Sequence, residues 1–263
     1  MKNGAMSKCG LLTVAVAVVA ALAAGAAGAN SGLNPDADEI LRSMSTFLGG
    51  TKAFSVATQI SNEVITREGE KLQLNSSATV LLRRPAGLHL SRQGRFADAE
   101  LFFDGKQVVL YGKGLNAYVQ REVAGSNDEL FDAVASELGL DLPGTDLLVA
   151  DPYAALVPGV TGSSYHGTAY VQGVECHHLS FREDEVDWQL WVKTGDEPLP
   201  MKYVITTKWL TGAPQYSVEM HDWDLAPAIP ADRFTFSPPE GAAKLEGLPV
   251  DETGELRPAE ESK

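Results

Sequence analysis

Residues 54–82 read FSVATQISNEVITREGEKLQLNSSATVLL, and this stretch decides the fold. Phe54, Val56, Ile60 and Val64 share one parity, as do Leu72, Leu74, Ala78, Val80 and Leu82. A period of two sends alternate side chains to opposite faces of a strand. Arg67-Glu68-Gly69-Glu70 lies between the two runs as a polar turn. The stretch therefore predicts two long antiparallel strands, each with one apolar face.

Upstream, Asn34-Pro35-Asp36 opens a helix, with Asn as N-cap, Pro at the first helical position and acids in the first turn. Ile40, Leu41, Met44, Phe47 and Leu48 recur at helical spacing, and Gly49-Gly50 marks the stop, giving a helix over 35–48. Downstream, strands are expected at 88–93, 98–103, 107–111 and 117–122, with Asp104-Gly105 as a hairpin turn. Ser126-Asn127-Asp128-Glu129 is a capping-box pattern for a second helix striped by Leu130, Phe131, Val134 and Leu138 and ended by Gly139. Two brief helices, 144–149 and 152–156, follow. A second β series spans 164–171, 174–182, 186–193, 200–209 and 215–223, and Phe234-Thr235-Phe236 closes the fold before Pro238-Pro239. The class is α+β: one strongly curved antiparallel sheet of about 11 strands, its open apolar side covered by helices.

The chain has 263 residues, 44% hydrophobic and 21% charged, with 21 Lys+Arg against 35 Asp+Glu and a formal charge of −14. Such acidity argues against nucleic acid, which needs cations to neutralise phosphates, and against a basic patch on anionic lipid heads. Residues 1–29 differ from the rest. Lys2 and Lys8 precede an apolar run from Leu11 to Leu22, and Ala27-Gly28-Ala29 supplies small residues for cleavage. This is the pattern of a cleavable export signal, too short and Ala-rich for a spanning helix. The domain plan is thus signal peptide 1–29, one domain 30–245, and an acidic tail 246–263 in which six carboxylates face two bases without an aromatic, the composition of a disordered segment. Export leaves Cys176 as the single cysteine, read as a small buried hydrophobe.

Signatures of catalysis are missing: no G-x-S-x-G elbow, no H-E-x-x-H, no P-loop, no G-x-G-x-x-G before a helix. Cys176 and His178 share a strand face, with His221 and Asp222 as further ligands in reach of a metal-site reading, but a lone C-x-H lacks the second ligand pair of zinc sites. No metal, cofactor or enzyme activity is expected. Asp184, Glu185, Asp187, Asp222 and Asp224 read as solvated turn and strand-end carboxylates, and Arg83, Arg84, Arg92 and Arg95 as a basic patch on solvated strand edges. The richer signal is apolar. A single sheet of this length has more apolar face than a few short helices fill, and the remainder would be a cavity for an apolar ligand.

Arg84-Pro85-Ala86-Gly87-Leu88-His89-Leu90 and Phe103-Asp104-Gly105-Lys106-Gln107-Val108-Val109-Leu110-Tyr111 resemble segments of the outer-membrane lipoprotein carrier superfamily (LolA-like), as does the closing Phe234-x-Phe236-x-Pro238-Pro239. Ala150-Asp151-Pro152-Tyr153, Gly173-Val174-x-Cys176-His177-His178-Leu179, Val186-Asp187-Trp188-Gln189-Leu190-Trp191 and Pro198-Leu199-Pro200 resemble an uncharacterised family of predicted periplasmic proteins within it. The match covers roughly residues 35–242. It implies a half-open β-barrel with a helical lid over a hydrophobic cavity that takes lipoprotein acyl chains or other lipids, in a periplasmic carrier or in a sensor with an envelope protein partner. Where the carrier has an arginine associated with fastening the lid, this chain has His89, which is expected as a lid contact.

The expectation is an exported, monomeric, non-enzymatic protein holding a lipid or acylated ligand. The more apolar face of each strand names the lining: Phe54, Val56, Leu74, Leu82, Leu90, Phe103, Leu148, Phe181, Trp188 and Tyr203. The alternative is a regulatory, protein-binding module in which those residues are ordinary core.

Overall fold

A computed structural model of the chain describes residues 32–94, 98–137 and 142–248. The expected signal peptide and most of the acidic tail lie outside the described residues, as do Arg95, Leu138 and Gly139.

Helix α1 (Pro35–Gly50) begins as the sequence dictates, the Asn34 side chain accepting from the Ala37 N–H at 3.0 Å. It runs through both glycines and stops at Thr51, two residues later than expected. Gly49 is needed inside the helix, because a Cβ there would sit 2.5 Å from the Ala150 carbonyl oxygen. The long hairpin follows as β1 (Ala53–Ile65) and β2 (Lys71–Arg83), paired without a break from Ala53↔Arg83 to Ile65↔Lys71. Four more antiparallel strands extend from β2: β3 (Leu88–Gln93), β4 (Ala99–Phe103), β5 (Gln107–Gly112) and β6 (Ala117–Glu122). Asp104 fixes the β4–β5 turn by accepting from the N–H groups of Lys106 and Gln107, with Gly105 at φ +90°.

Helix α2 (Asn127–Glu137) starts from the capping box: the Ser126 N–H donates to Glu129 at 2.8 Å, and the Ser126 hydroxyl accepts from the Asp128 N–H at 3.2 Å. A single turn over 145–147 and α3 (Pro152–Leu156), capped by Asp151, complete the helical insert. The second meander, β7 (Gly162–Val171), β8 (Val174–Arg182), β9 (Val186–Lys193), β10 (Pro200–Thr207) and β11 (Gln215–Asp224), returns to pair β11 with β1. A short β12 (Ala243–Lys244), not foreseen, adds a parallel rung to β6.

The result is one curved, open, mostly antiparallel sheet in the order β12-β6-β5-β4-β3-β2-β1-β11-β10-β9-β8-β7. Its long hairpin stands near the middle, and the two meanders spread from it. Register defines an inner face. Phe54 is paired with Leu82, Leu82 with Leu88, Leu88 with Phe103 and Phe103 with Val108 on one side; Ile60 with Val218, Val218 with Tyr203, Tyr203 with Leu190 and Leu190 with Leu179 on the other. Against this face α1 buries Leu41, Met44 and Leu48, and α2 buries Leu130 and Val134.

The outer face is not left bare. Residues 225–242 cross it as a strap, with Phe234 buried against Gly87 and Phe236 set among Phe102, Tyr111 and Tyr118 at ring distances of 5.1–5.4 Å. The strap ends where the Leu245 N–H donates to the Tyr118 carbonyl.

Candidate functional site

Nine of the ten expected lining residues stand on the inner face of the sheet, and Leu148, in the insert, packs against the same core. Phe54, Leu82, Phe103 and Phe181 are fully buried. Phe181 stacks on Trp188 (centroids 3.8 Å, planes 13° apart), and Trp188 meets the edge of Tyr203 at 5.9 Å. The indole N–H of Trp188 donates to Glu183 at 2.7 Å, and burial raises that carboxyl above its ordinary pKa. Burial also pushes the Tyr203 phenol well above its usual value, so it stays neutral and serves as part of the apolar wall. Leu90 and Leu148 are half-buried, and Leu74 is buried apart from the main cluster.

The helices that cover this wall are tied both to one another and, at the starts of α1 and α2, to the sheet, where the Asn34 N–H donates to Ser163 and Asn127 bonds Arg83, Pro85 and Gly87. The Tyr153 hydroxyl of α3 donates to Asp38 of α1 at 2.6 Å and accepts from Arg42, which also pairs with Asp38 at 2.8 Å. The Tyr153 N–H donates to Ser45 at 2.8 Å. The Ala150 N–H donates to Asp128 of α2 at 3.0 Å. From the sheet side, Arg84 reaches across: its Nη1 donates to the Leu148 carbonyl at 2.9 Å.

That role corrects the reading of Arg84 as one of a set of solvated strand-edge cations. Its guanidinium is buried, and its Nε and Nη2 meet no acceptor among the described residues. Burial pulls its pKa below the ordinary value, against the field of the Asp128 carboxylate. Parity carried the signal, since residue 84 continues the alternation of Val80 and Leu82.

His89 is likewise corrected. It stands on the outer face, opposite Leu81 and Phe102, and is only 6% exposed. Its ring lies 4.6 Å from that of Phe102, and Nε2 is 3.9 Å from Glu100. Burial, with the positive charge of Arg233, holds its pKa below the ordinary histidine value. Among the described residues no helix reaches it; sheet and insert are joined instead by Arg84 and by Asn127, whose N–H donates to the Pro85 carbonyl, whose amide donates to the Arg83 carbonyl and whose Oδ1 accepts from the Gly87 N–H.

Two depressions open on the outer face. One, about 550 Å³, spans β2, β1, β11, β10 and β9 and is lined by amides and hydroxyls, including Gln59, Gln73, Asn75 and Ser217, around the Lys202–Glu219 pair at 2.8 Å. The other, about 330 Å³, holds His89, Glu100 and Arg233 beside the strap. Cys176 is buried at the start of β8, its thiol pushed up in pKa by burial; His178 stacks on Trp191 and shares a hydrogen bond with Gln189 at 2.9 Å. Among the described residues no group of three His, Cys, Asp or Glu gathers to hold a metal.

Solved structures with a similar arrangement include lipoprotein LppX from Mycobacterium tuberculosis (13% identity, 74% of this chain and 98% of that one, TM-score 0.48). LprF from Mycobacterium bovis matches at 15% identity (80% and 99%, TM-score 0.47), and a LolA superfamily protein from Nitrosomonas europaea at 10% (76% and 97%, TM-score 0.38). No curated protein matches the sequence. A family model described as predicted periplasmic protein (DUF2092) matches residues 37–247, and the chain belongs to that family.

Proposed function

We propose that this protein is an exported binder of a lipid or acyl chain, taken up between the inner face of the sheet and the helical insert. The observation that carries the reading is the inner face itself. It is apolar across both meanders, and its cover is a few short helices, of which α1 and α3 are joined to one another by Tyr153, Asp38, Arg42 and Ser45.

The energetics fit α1 and α3 moving together. Lifting them exposes Leu41, Met44, Leu48 and Leu156, a cost of about 6–12 kcal/mol at roughly 1.5–3 kcal/mol for each buried side chain. An acyl chain returns about 0.8 kcal/mol per buried CH₂, so a chain of about ten carbons offsets the opening. The family is described as predicted periplasmic, which supports the reading of an exported protein with a signal cleaved after Ala29. Among the described residues no helix is long and apolar enough to cross a membrane.

Protein purified from the periplasm is expected to carry lipid in native mass spectrometry and to bind a fluorescent fatty acid after extraction. Lipid-free protein that binds no such probe would sink the proposal.

A second reading has its own observation. The wall residues other than Leu74 already pack into one core, and the two depressions described open on the other face. In that reading the protein is a partner-binding module. Pull-downs with and without residues 246–263 separate the two: loss of a protein partner with lipid binding intact assigns the tail to the partner and the sheet to the lipid.

A further inference from the structure

One edge of the Arg84 guanidinium meets no acceptor among the described residues. The Nη1 edge is spent on the Leu148 carbonyl; Nε and Nη2, the two parallel donors of the other edge, are buried without an acceptor among the described residues. A buried charged donor left unmade is costly, and this pair of N–H groups has the spacing that takes both oxygens of a carboxylate. Asp128 lowers the cost of the charge through its field only, since neither Nε nor Nη2 bonds to its carboxylate.

The fork also lies in the right place. The Arg84 N–H donates to the Lys52 carbonyl at 2.8 Å, which sets the residue beside the C-terminal end of α1. Its side chain leaves on the side of Val80 and Leu82, towards the segment that links α2 and α3. This is the rim of the inner face, where a chain lying under the helices would end.

We propose that the Nε–Nη2 edge of Arg84 receives the carboxylate of a long-chain fatty acid whose hydrocarbon lies under the helices. This rests on the lipid-binding reading and narrows it to a single-chain anionic amphiphile. A planar, singly charged head matches one fork; Asp128 repels any anion there, and a phosphate dianion about twice as strongly as a carboxylate with a single cation to balance it.

Isothermal titration of the delipidated full chain with decanoate, decanol and acetate tests it. Decanoate is expected to bind about tenfold or more tightly than decanol, as a charge-assisted two-point contact requires, and acetate not to compete. Arg84→Gln removes that preference. Arg84→Lys keeps the charge and drops the fork, so it loses most of the preference while guarding against a folding defect. Equal binding of acid and alcohol in the wild type overturns the proposal and leaves lipid binding standing. An acid preference that survives in folded Arg84→Gln, or competition by acetate at the strength of decanoate, overturns it too. If neither amphiphile binds, the lipid reading itself falls and this one with it.

Discussion

Two adjacent glycines at the end of α1 are expected to respond to the same substitution with opposite signs. At Gly49 a Cβ would lie 2.5 Å from the Ala150 carbonyl oxygen, about 1 Å inside an ordinary carbon–oxygen contact. At Gly50 it would meet nothing within 4 Å. The obstructing atom at Gly49 is backbone, and that backbone is held. The Ala150 N–H is bonded to Asp128, Asp151 caps α3 through the Ala154 N–H at 3.0 Å, and the Tyr153 N–H is bonded to Ser45. Gly49→Ala must therefore displace α1 or break one of these bonds. Overpacking of this kind costs about 1–3 kcal/mol, against a helix-propensity gain of about 0.5–1 kcal/mol. The net expectation is a loss of about 1–2 kcal/mol. Gly50→Ala has the gain without the clash and is expected to stabilise by up to about 0.5–1 kcal/mol. Urea unfolding measures both, as midpoint shifts of opposite direction at an unchanged slope. If Gly49→Ala is as stable as Gly50→Ala, the helices do not lie as closely on residues 150–152 as the structure has them. The idea of α1 and α3 as one unit would fall with that result.

Burial pushes the Asp38 carboxyl up, but hydrogen bonds from Tyr153 and Arg42 and the guanidinium charge outweigh it and leave its pKa below the ordinary value. A depressed folded pKa gives stability that is present above the unfolded pKa and lost as pH falls through the folded one. The melting temperature of Tyr153→Phe is therefore expected to trail the wild type at neutral pH and to approach it below pH ~4, the ordinary Asp value; a gap independent of pH refutes the linkage. In protein lacking residues 1–29, the Cys176 thiol is expected to resist a thiol reagent at pH ~8, where an ordinary cysteine reacts, until urea unfolds the chain; prompt native labelling would show that β8 opens there. Phe234→Ala leaves a gap over Gly87 and is expected to cost about 3–5 kcal/mol in urea unfolding. A loss below ~1 kcal/mol, the scale of a surface change, would mean that the strap is not packed on the sheet.

The order of elements was legible because each is announced by local chemistry. Asn34-Pro35 starts α1, Asp104-Gly105 turns β4 into β5, Ser126 and Glu129 cap α2, and the parity of Phe54, Val56, Val80 and Leu82 names the inner face before any pairing is known. The strap was not legible in the same way. Residues 225–242 include Pro227, Pro230, Pro238 and Pro239 and show neither period, so the chain gives no local sign that Phe234 and Phe236 cover the outer face. The partners of Phe236 come from β4, β5 and β6, and those of Phe234 are Arg83 and Gly87 at the β2–β3 turn, all far away in sequence. The same holds for the fit of helices on the inner face, which depends on contacts such as Gly49 against Ala150.

Arg84 and His89 separate two kinds of inference. The strand alternation that places Leu82 and Leu88 inside also places residue 84 inside and residue 89 outside, and the structure agrees on both. Resemblance at the level of an aligned segment assigned the contact to His89, because it matched a position without asking which face that position occupies. A neutral imidazole in an outer-face pocket beside Glu100 and Arg233 has no access to the insert. A guanidinium at the end of β2 does, and it brings a permanent charge and five donors where the histidine would bring at most two. The distinction has a chemical consequence. A tether made by histidine would weaken as the ring loses its proton near neutral pH, whereas one made by Arg84 holds at every pH at which the protein is folded. Helix opening in this chain should therefore be insensitive to pH between about 6 and 8, the range in which a histidine tether would titrate. Hydrogen exchange of α3 amides across that range, corrected for intrinsic rates, should give one opening free energy for the wild type and a lower one for Arg84→Lys.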